Sequence, residues 1–324
     1  MGYSARYHVA SLAAIFLALG VGILIGTGLG KNVINDTTRK LEASLKGDLE
    51  SARGQISTLR DQLRQQQDFA EGVYPALTAG ALRGQRVAVV ALGGLDGALR
   101  ADIERVLGQQ NTTGARIREF AVIREPPDVP ALNGEVRGTR FHPVRRNPAD
   151  LGALGRHAGR AIVSGGPFFR RVSGALLSRR SGRPNGIDAV IVVRSPASGL
   201  RSGAASATSG LEAGLLDGLA ASGAPVVGVE RSTSDPSSVP LFRAHGLATV
   251  DDLDQTAGSV ALVYGLRGAT GSYGVGQNAN RLLPPLRRVR RATAQPVTTV
   301  ARPPAPTATV HPFGSRGAKS SPHR

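Results

Sequence analysis

Ile187–Val193, IDAVIVV, is the stretch whose reading decides the fold. Apart from Asp188 it is wholly apolar and mostly β-branched, which reads as the clearest central strand of a sheet. A continuous apolar run, rather than an alternating one, belongs to a strand covered on both faces. Upstream, Arg86–Leu92 (RVAVVAL), bounded by Gly84 and Gly93-Gly94, reads the same way, and Arg118–Ile123 follows as a further strand. Downstream, Pro225–Glu230 (PVVGVE) and Leu247–Val250 add two more. Helical patterns separate them: Ala98–Gln110, Asp150–Val163, Phe168–Ser178, Leu211–Ser222, and a last helix from about Asp254 to Gly265 that Asp251 or Asp252 can N-cap. A polar, Pro-rich connection spans Arg124 to Pro148. Strands alternating with helices predict an α/β domain of doubly wound, mostly parallel type, over residues 75–283.

Outward toward the N-terminus, a loop around Pro75 to Gln85 is expected to join the domain to a stalk at 31–74. There Leu49, Ala52, Ile56, Leu59, Leu63, Gln66, Ala70 and Val73 alternate by three and four, the spacing of a coiled-coil seam. Ile34, Leu41 and Leu45 continue the stripe with a shift in register. An amphipathic helix folded onto the domain fits the spacing as well. Continuity with the segment before it favours an oligomeric stalk.

That earlier segment, residues 1–30, reads as a membrane anchor. Val9–Leu29 is uncharged, and 21 residues at ~1.5 Å each span about the thickness of a bilayer's hydrocarbon core. Ala10, Ala14, Ala18, Gly22, Gly26 and Gly30 recur at every fourth position, a small-residue stripe that lets membrane helices approach closely. A cleaved signal peptide is the competing reading, with Gly28-Leu29-Gly30 as a loose cleavage site. The run is longer than a signal's apolar region, and Tyr3 and Tyr7 sit where an interfacial belt would lie.

Cysteine is absent, which excludes disulfides, thiolate metal sites and a Cys nucleophile. The net charge is +17, with 36 Arg and 4 Lys, a balance that suggests a GC-rich genome. From Pro284 to Arg324 there are eight positive residues and no acid. This Pro-rich tail, 284–324, cannot bury a core and is expected to be disordered. Its cluster Arg287, Arg288, Arg290 and Arg291 can attract polyanions, anionic lipid or cell-wall polymer if it lies outside the cytoplasm. Phe313 is the tail's one aromatic, so base stacking on nucleic acid is not expected.

The remaining constellations are weak. Gly93-Gly94-Leu95-Asp96-Gly97 reads as a plain turn or as an anion cradle at a helix start, without a phosphate-loop signature. Asp251, Asp252 and Asp254 read as helix-start acids or as cation ligands. Gly268–Gly276, with Tyr273, reads as a structural turn or a binding loop. There is no G-x-S-x-G and no identifiable Ser/His/Asp arrangement, so an enzyme is not expected.

Two end motifs carry a family resemblance. Arg6-Tyr7-His8, then Ser11 to Leu19 (SLAAIFLAL), Gly22 and Gly26, form the first. Ala248 to Asp254 (ATVDDLD), Gly258, Ala261-Leu262-Val263, and Gly271 to Gly276 (GSYGVG) form the second. With both, the chain resembles the actinobacterial copper transporter family that includes mycobacterial copper transport protein B, over about residues 3 to 284. The resemblance implies a membrane-anchored protein with its bulk outside the cytoplasm, forming an oligomeric copper exit route. Copper would be cargo, with no tightly bound cofactor. Soft Cu(I) prefers Cys and Met, yet the one Met is Met1. The six His (His8, His142, His157, His245, His311, His323) never share ligand spacing on one element. His8 is either a pore-mouth ligand repeated around an oligomer or an interfacial polar residue.

Overall fold

The structure, a computed structural model, describes residues 5–107, 112–182, 186–195 and 197–286, with the backbone alone at 5–6 and 28–38. It opens with one helix, α1 (Ala5–Thr78), of 74 residues. At ~1.5 Å per residue that is about 110 Å of helix. The loop expected at Pro75 is instead the helix's last turn. A proline four residues from the end removes one backbone donor without breaking the turn, and Ala79 N still donates to Pro75 O (2.8 Å). Thr78, fully buried, closes the turn by donating its hydroxyl to Tyr74 O (2.8 Å).

The domain then runs β1 (Arg86–Leu92), α2 (Gly97–Leu107), β2 (Arg116–Ile123), α3 (Val129–Glu135), α4 (Pro148–Ser164), α5 (Pro167–Leu176), β3 (Leu177–Gly182), β4 (Ala189–Arg194), α6 (Ser202–Ala220), β5 (Val226–Val229), α7 (Val239–Ala244), β6 (Ala248–Val250), α8 (Thr256–Leu266) and β7 (Ser272–Tyr273). The strands form one sheet in the order β3-β2-β1-β4-β5-β6-β7. All pairings are parallel except β2 with antiparallel β3. The expected mixed α/β, mostly parallel architecture is therefore present.

Both central strands are buried on two faces, as their composition requires. Ala88, Val90, Leu92, Val190 and Val192 enter the core under α3, α4, α5 and α6. Val87, Val89, Ala91, Ala189, Ile191 and Val193 enter the core under α2 and α8, where Tyr74 and Leu77 of α1 also pack. The lone acid of IDAVIVV sits just before β4. Asp188 accepts Arg86 N (2.8 Å) and pairs with the Arg86 guanidinium (2.9 Å), tying the starts of the two strands together.

Several boundaries differ from the sequence reading. The helix expected at Phe168–Ser178 ends at Leu176, because the chain turns into the antiparallel edge strand β3. In β3, Arg180 pairs with buried Glu119 of β2 (2.9 Å), a tertiary contact that local periodicity does not encode. Helix α6 begins at Ser202, nine residues before the apolar pattern starts. Neither Asp251 nor Asp252 caps the last helix. Its N-cap is Gln255, without a side-chain bond.

The closest packing joins α4 to α6. Gly155 and Gly159 of α4 lie against the backbone of Leu211, Leu215 and Leu219, and Gly214 and Gly218 of α6 lie against Gly152 and Arg156. A methyl group at any of these positions would strike main chain, not a flexible side chain. We expect Gly159→Ala to destabilise the domain by about 1–3 kcal/mol. Gly174→Ala in α5, where nothing lies within 4 Å, should be neutral or gain up to about 1 kcal/mol. Urea midpoints of the two variants would decide it, and equal midpoints would refute backbone contact at Gly159.

Candidate functional site

In open parallel sheets, ligands settle outside the carboxyl ends of strands where the strand order reverses. Here that crevice lies between β1 and β4, which lead to opposite halves of the sheet. Gly93 follows β1 at φ 79°, and a Cβ there would collide with Ser195 O and the carboxylate of Glu125. Only glycine combines this backbone with that proximity. Arg194, at the end of β4, holds Glu212 of α6 with two bonds (2.8 and 3.1 Å). Burial, and then the nearby Glu212 charge, push the Glu125 carboxyl up to about 8. The crevice therefore carries two neighbouring carboxyls: Glu212 bonded to Arg194, and Glu125, whose buried oxygens have no hydrogen-bond partner among the described residues and which is the proton-bearing member at neutral pH.

The turn after β1 is not open to an anion. Asp96 already accepts Leu99 N (3.0 Å) at the start of α2, so a carboxylate fills the position that a phosphate would take. Beside it, a cleft of about 230 Å³ is lined by Asp96, Arg194, Ser195, Glu230 and Arg231, among others. A larger depression of about 950 Å³ lies away from the crevice, between α2 and the exposed side of β2.

The second feature is acidic. Glu230 follows β5, and it accepts Ser237 Oγ (2.7 Å) and Ser238 N (2.6 Å). Asp251 follows β6 and binds the amides of Val275 (2.9 Å) and Gly276 (3.2 Å), fixing the glycine-rich segment after β7. Gly274 must lack a side chain, because a Cβ would meet the Asp251 carboxylate. Gly271–Gly276 is thus a structural element whose Tyr273 lies in an edge strand and donates to Thr270 O (2.6 Å). Asp254 accepts from Ser232 N and Oγ (both 2.7 Å).

Asp252 is different. It is completely buried, and both of its carboxylate oxygens lack a partner. Burial first, then the charges of Asp251 and Asp254, push it up to about 7. Among the described residues, no three His, Cys, Asp or Glu side chains are grouped to hold a metal ion.

The histidines are dispersed. His8 lies on exposed α1. His157 meets Phe168 edge-on and Phe141 at a tilt (4.3 and 5.2 Å between centroids). His245 meets Asp217 through Nδ1 (2.7 Å), and Asp217 also pairs with Arg156 (3.2 Å). His311 and His323 lie outside the described residues, as do Arg287, Arg288, Arg290, Arg291 and the rest of the tail after Leu286. On the small-residue stripe, Ala10, Ala14, Ala18, Gly22 and Gly26 are exposed, and a Cβ at Gly22 or Gly26 would meet nothing within 4 Å. Gly30 belongs to α1, but its surroundings fall outside the description.

Sequence reasoning missed the Glu125–Glu212–Arg194 group. Its one local sign is Glu212 within the otherwise apolar LEAGLL of α6.

Asp252 makes a pH prediction. Its folded-state pKa lies above the ordinary 3.8, so the native protein holds this proton more tightly than the unfolded chain. The stability it contributes is full below about pH 4 and is lost as pH rises through about 7. Asp252→Asn, which keeps a neutral side chain, should lose less stability than the parent between about pH 5 and 8. Parallel thermal-melting curves for the two proteins across that range would refute a neutral buried Asp252.

A family model described as "Copper transport outer membrane protein, MctB" matches residues 3–119 and 171–284. Among curated relatives, "Copper transporter MctB" of Mycobacterium tuberculosis and of Mycobacterium bovis are each 24% identical over 315 residues, covering 85% of this chain and 97% of theirs. The segment Tyr7–Thr27 is long and apolar enough to cross a membrane, in keeping with a membrane protein. With an N-terminal apolar helix, an α/β domain and both end motifs inside the matched stretches, the chain belongs to the MctB family of copper transport proteins.

Proposed function

We propose that this chain is an oligomeric component of copper efflux, anchored by a single span in the cell membrane with its α/β domain on the extracytoplasmic side. Copper is the cargo. The observation that carries the reading is the uncovered surface of α1. Its large apolar residues from Val9 to Ile25 are 49–78% exposed, and none of the described residues covers them. One span cannot enclose a pore, so transport through this segment requires several copies.

The small-residue stripe offers a close contact between copies inside lipid. Farther along the same helix, Leu49, Ile56, Leu59 and Leu63 are 48–63% exposed and supply a seam in water. With Leu49, Ile56 and Leu63 at one core position of the heptad, Asp48 and Arg53 take the flanking positions that pair between parallel strands. An in-register parallel stalk of this kind sets the anchors side by side and would place a ring of His8 at one mouth of the path. On this reading 1–30 is anchor, 31–74 stalk, 75–283 the α/β domain and 284–324 a basic arm for anionic lipid or cell-wall polymer.

The scattered donors favour one rival, a non-conducting envelope scaffold whose domain binds a partner. The absence of cysteine makes the test clean. Gly22→Cys should crosslink between copies in membranes under mild oxidation. Leu24→Cys, on the far side of the helix, should not. In reconstituted vesicles the parent should pass copper, and the Gly22→Leu/Gly26→Leu double variant should fall to the level of protein-free vesicles. Crosslinked protein that passes no copper would establish the scaffold. Mature protein beginning beyond Gly30 would overturn the anchor itself.

A further inference from the structure

The positive charge of the folded domain is concentrated in one layer. Residues 124–180 supply α3, α4, α5, most of β3 and their connections, and they hold eleven arginines against four acids. This stretch is therefore +7 of the chain's +17. The three helices cover the same face of the sheet. On the opposite face, α2 carries Asp102 and Glu104 against Arg100 and Arg105, and α8 carries no charged residue at all. A genome that favours arginine codons explains Arg in place of Lys. It does not explain why the excess gathers on one side of a sheet.

Few of these arginines serve the fold. Arg124 donates to Ala175 O and Leu177 O, Arg156 pairs with Asp217, and Arg180 pairs with Glu119. Arg137, Arg145, Arg146, Arg160, Arg170 and Arg171 are exposed and have no ion-pair partner among the described residues. The four acids do not offset them. Glu125 holds a proton in the crevice, Asp128 caps α3, Asp150 accepts Arg145 N (3.0 Å), and Glu135 alone remains. The field is felt locally: burial, then Arg140 and Arg160, lower the pKa of His157. Half-exposed Phe141 and Phe168 flank that histidine, and Arg140 lies over the Phe141 ring (5.0 Å).

The layer is also free to meet something. Helix α1 joins the domain on the other side, through Tyr74 and Leu77 in the core beneath α8, so copies assembled along α1 leave this face clear. Moreover, the two stretches matched by the family model leave out residues 120–170, which contain eight of the eleven arginines. The basic layer is a property of this chain beyond what the family model covers.

We propose that the α3–α4–α5 face docks on a linear polymer bearing phosphate groups, held by charge-assisted bonds from its unpaired arginines. Guanidinium forks match phosphate oxygens in pairs, and a spread of independent cations over several elements suits a flexible polyanion. A bilayer is the less fitting surface. About 50 residues of helix separate Thr27 from the domain, or about 75 Å at ~1.5 Å per residue, which keeps this face away from the membrane that holds the anchor. This proposal does not depend on copper transport.

The test uses the full chain in detergent, with long-chain inorganic polyphosphate as probe and salt as the variable. A variant with Arg137→Gln, Arg160→Gln, Arg170→Gln and Arg171→Gln alters exposed, unpaired side chains, so its melting temperature should match the parent's. We expect at least about a tenfold loss of affinity at moderate salt, and a salt slope shallower by up to about 3, since each phosphate contact contributes about 0.7. A second variant, with Arg287, Arg288, Arg290 and Arg291 changed to Gln, separates the tail and should retain the layer's share of both quantities. Unchanged binding in the first variant, or loss only in the second, would overturn the proposal. So would stronger binding to vesicles of anionic phospholipid than to polyphosphate, because lipid would then be the occupant.

Discussion

A helix of 74 residues is held to its domain by little more than its last turn. Tyr74 and Leu77 enter the core beneath α8, Thr78 is fully buried, Ala70 and Val73 are partly buried, and the other described side chains before Tyr74 are exposed. An isolated helix draws most of its stability from the surface it packs against, not from intrinsic propensity. Along most of α1 that surface is missing among the described residues, while exposed apolar side chains recur from Val9 to Phe69. The function proposed above supplies such surroundings from outside the chain: lipid for the first third, and further helices for the rest. Where the domain sits, and which of its faces is free, both follow from this one junction.

What the sequence made legible is what burial on two faces makes obligatory. RVAVVAL and IDAVIVV read as strands because no alternating pattern can satisfy a sheet covered on both sides. The edge strand β3 escaped, since its Arg180 obeys a partner in β2 and a phenylalanine in α5 instead of a local period. Asp251 and Asp252 resemble helix caps in sequence. In space one binds the loop after β7, and the other is sealed away, because β6 ends beside that loop and well before α8 begins. Of the Glu125–Glu212–Arg194 group, the sequence offers only Glu212 in an otherwise apolar helix. The group's members come from the end of β2, the middle of α6 and the end of β4, and only the sheet order brings them together.

The two ends of the sheet's chemistry answer to different pressures. At the carboxyl edge, acids outnumber available cations, and the structure contains them by burial, protonation and main-chain donors. Over the α3–α5 layer the imbalance is reversed, and the unpaired arginines stay in water where an excess charge costs little. Buried charge is managed inside the fold, whereas exposed charge is left for something outside it.

Glycine spacing ties the domain to the anchor. In α6, Gly210, Gly214 and Gly218 recur every fourth residue, and each lies against the main chain of α4. The same period runs through Gly22 and Gly26 of α1, where a side chain would meet open space. Inside the domain, the pattern exists because two helices touch backbone to backbone, and both helices are present in one chain. In α1 only one half of such a contact is present. A glycine in a helix interior lowers its stability by roughly 1 kcal/mol relative to alanine, so the residue is costly where it faces nothing. A second copy of the same stripe is the simplest surface that returns this cost, since identical helices running side by side bring the same glycines to the same depth. Under the proposed assembly, α1 and the α4–α6 pair would use one packing rule, between molecules in the first case and within the fold in the second.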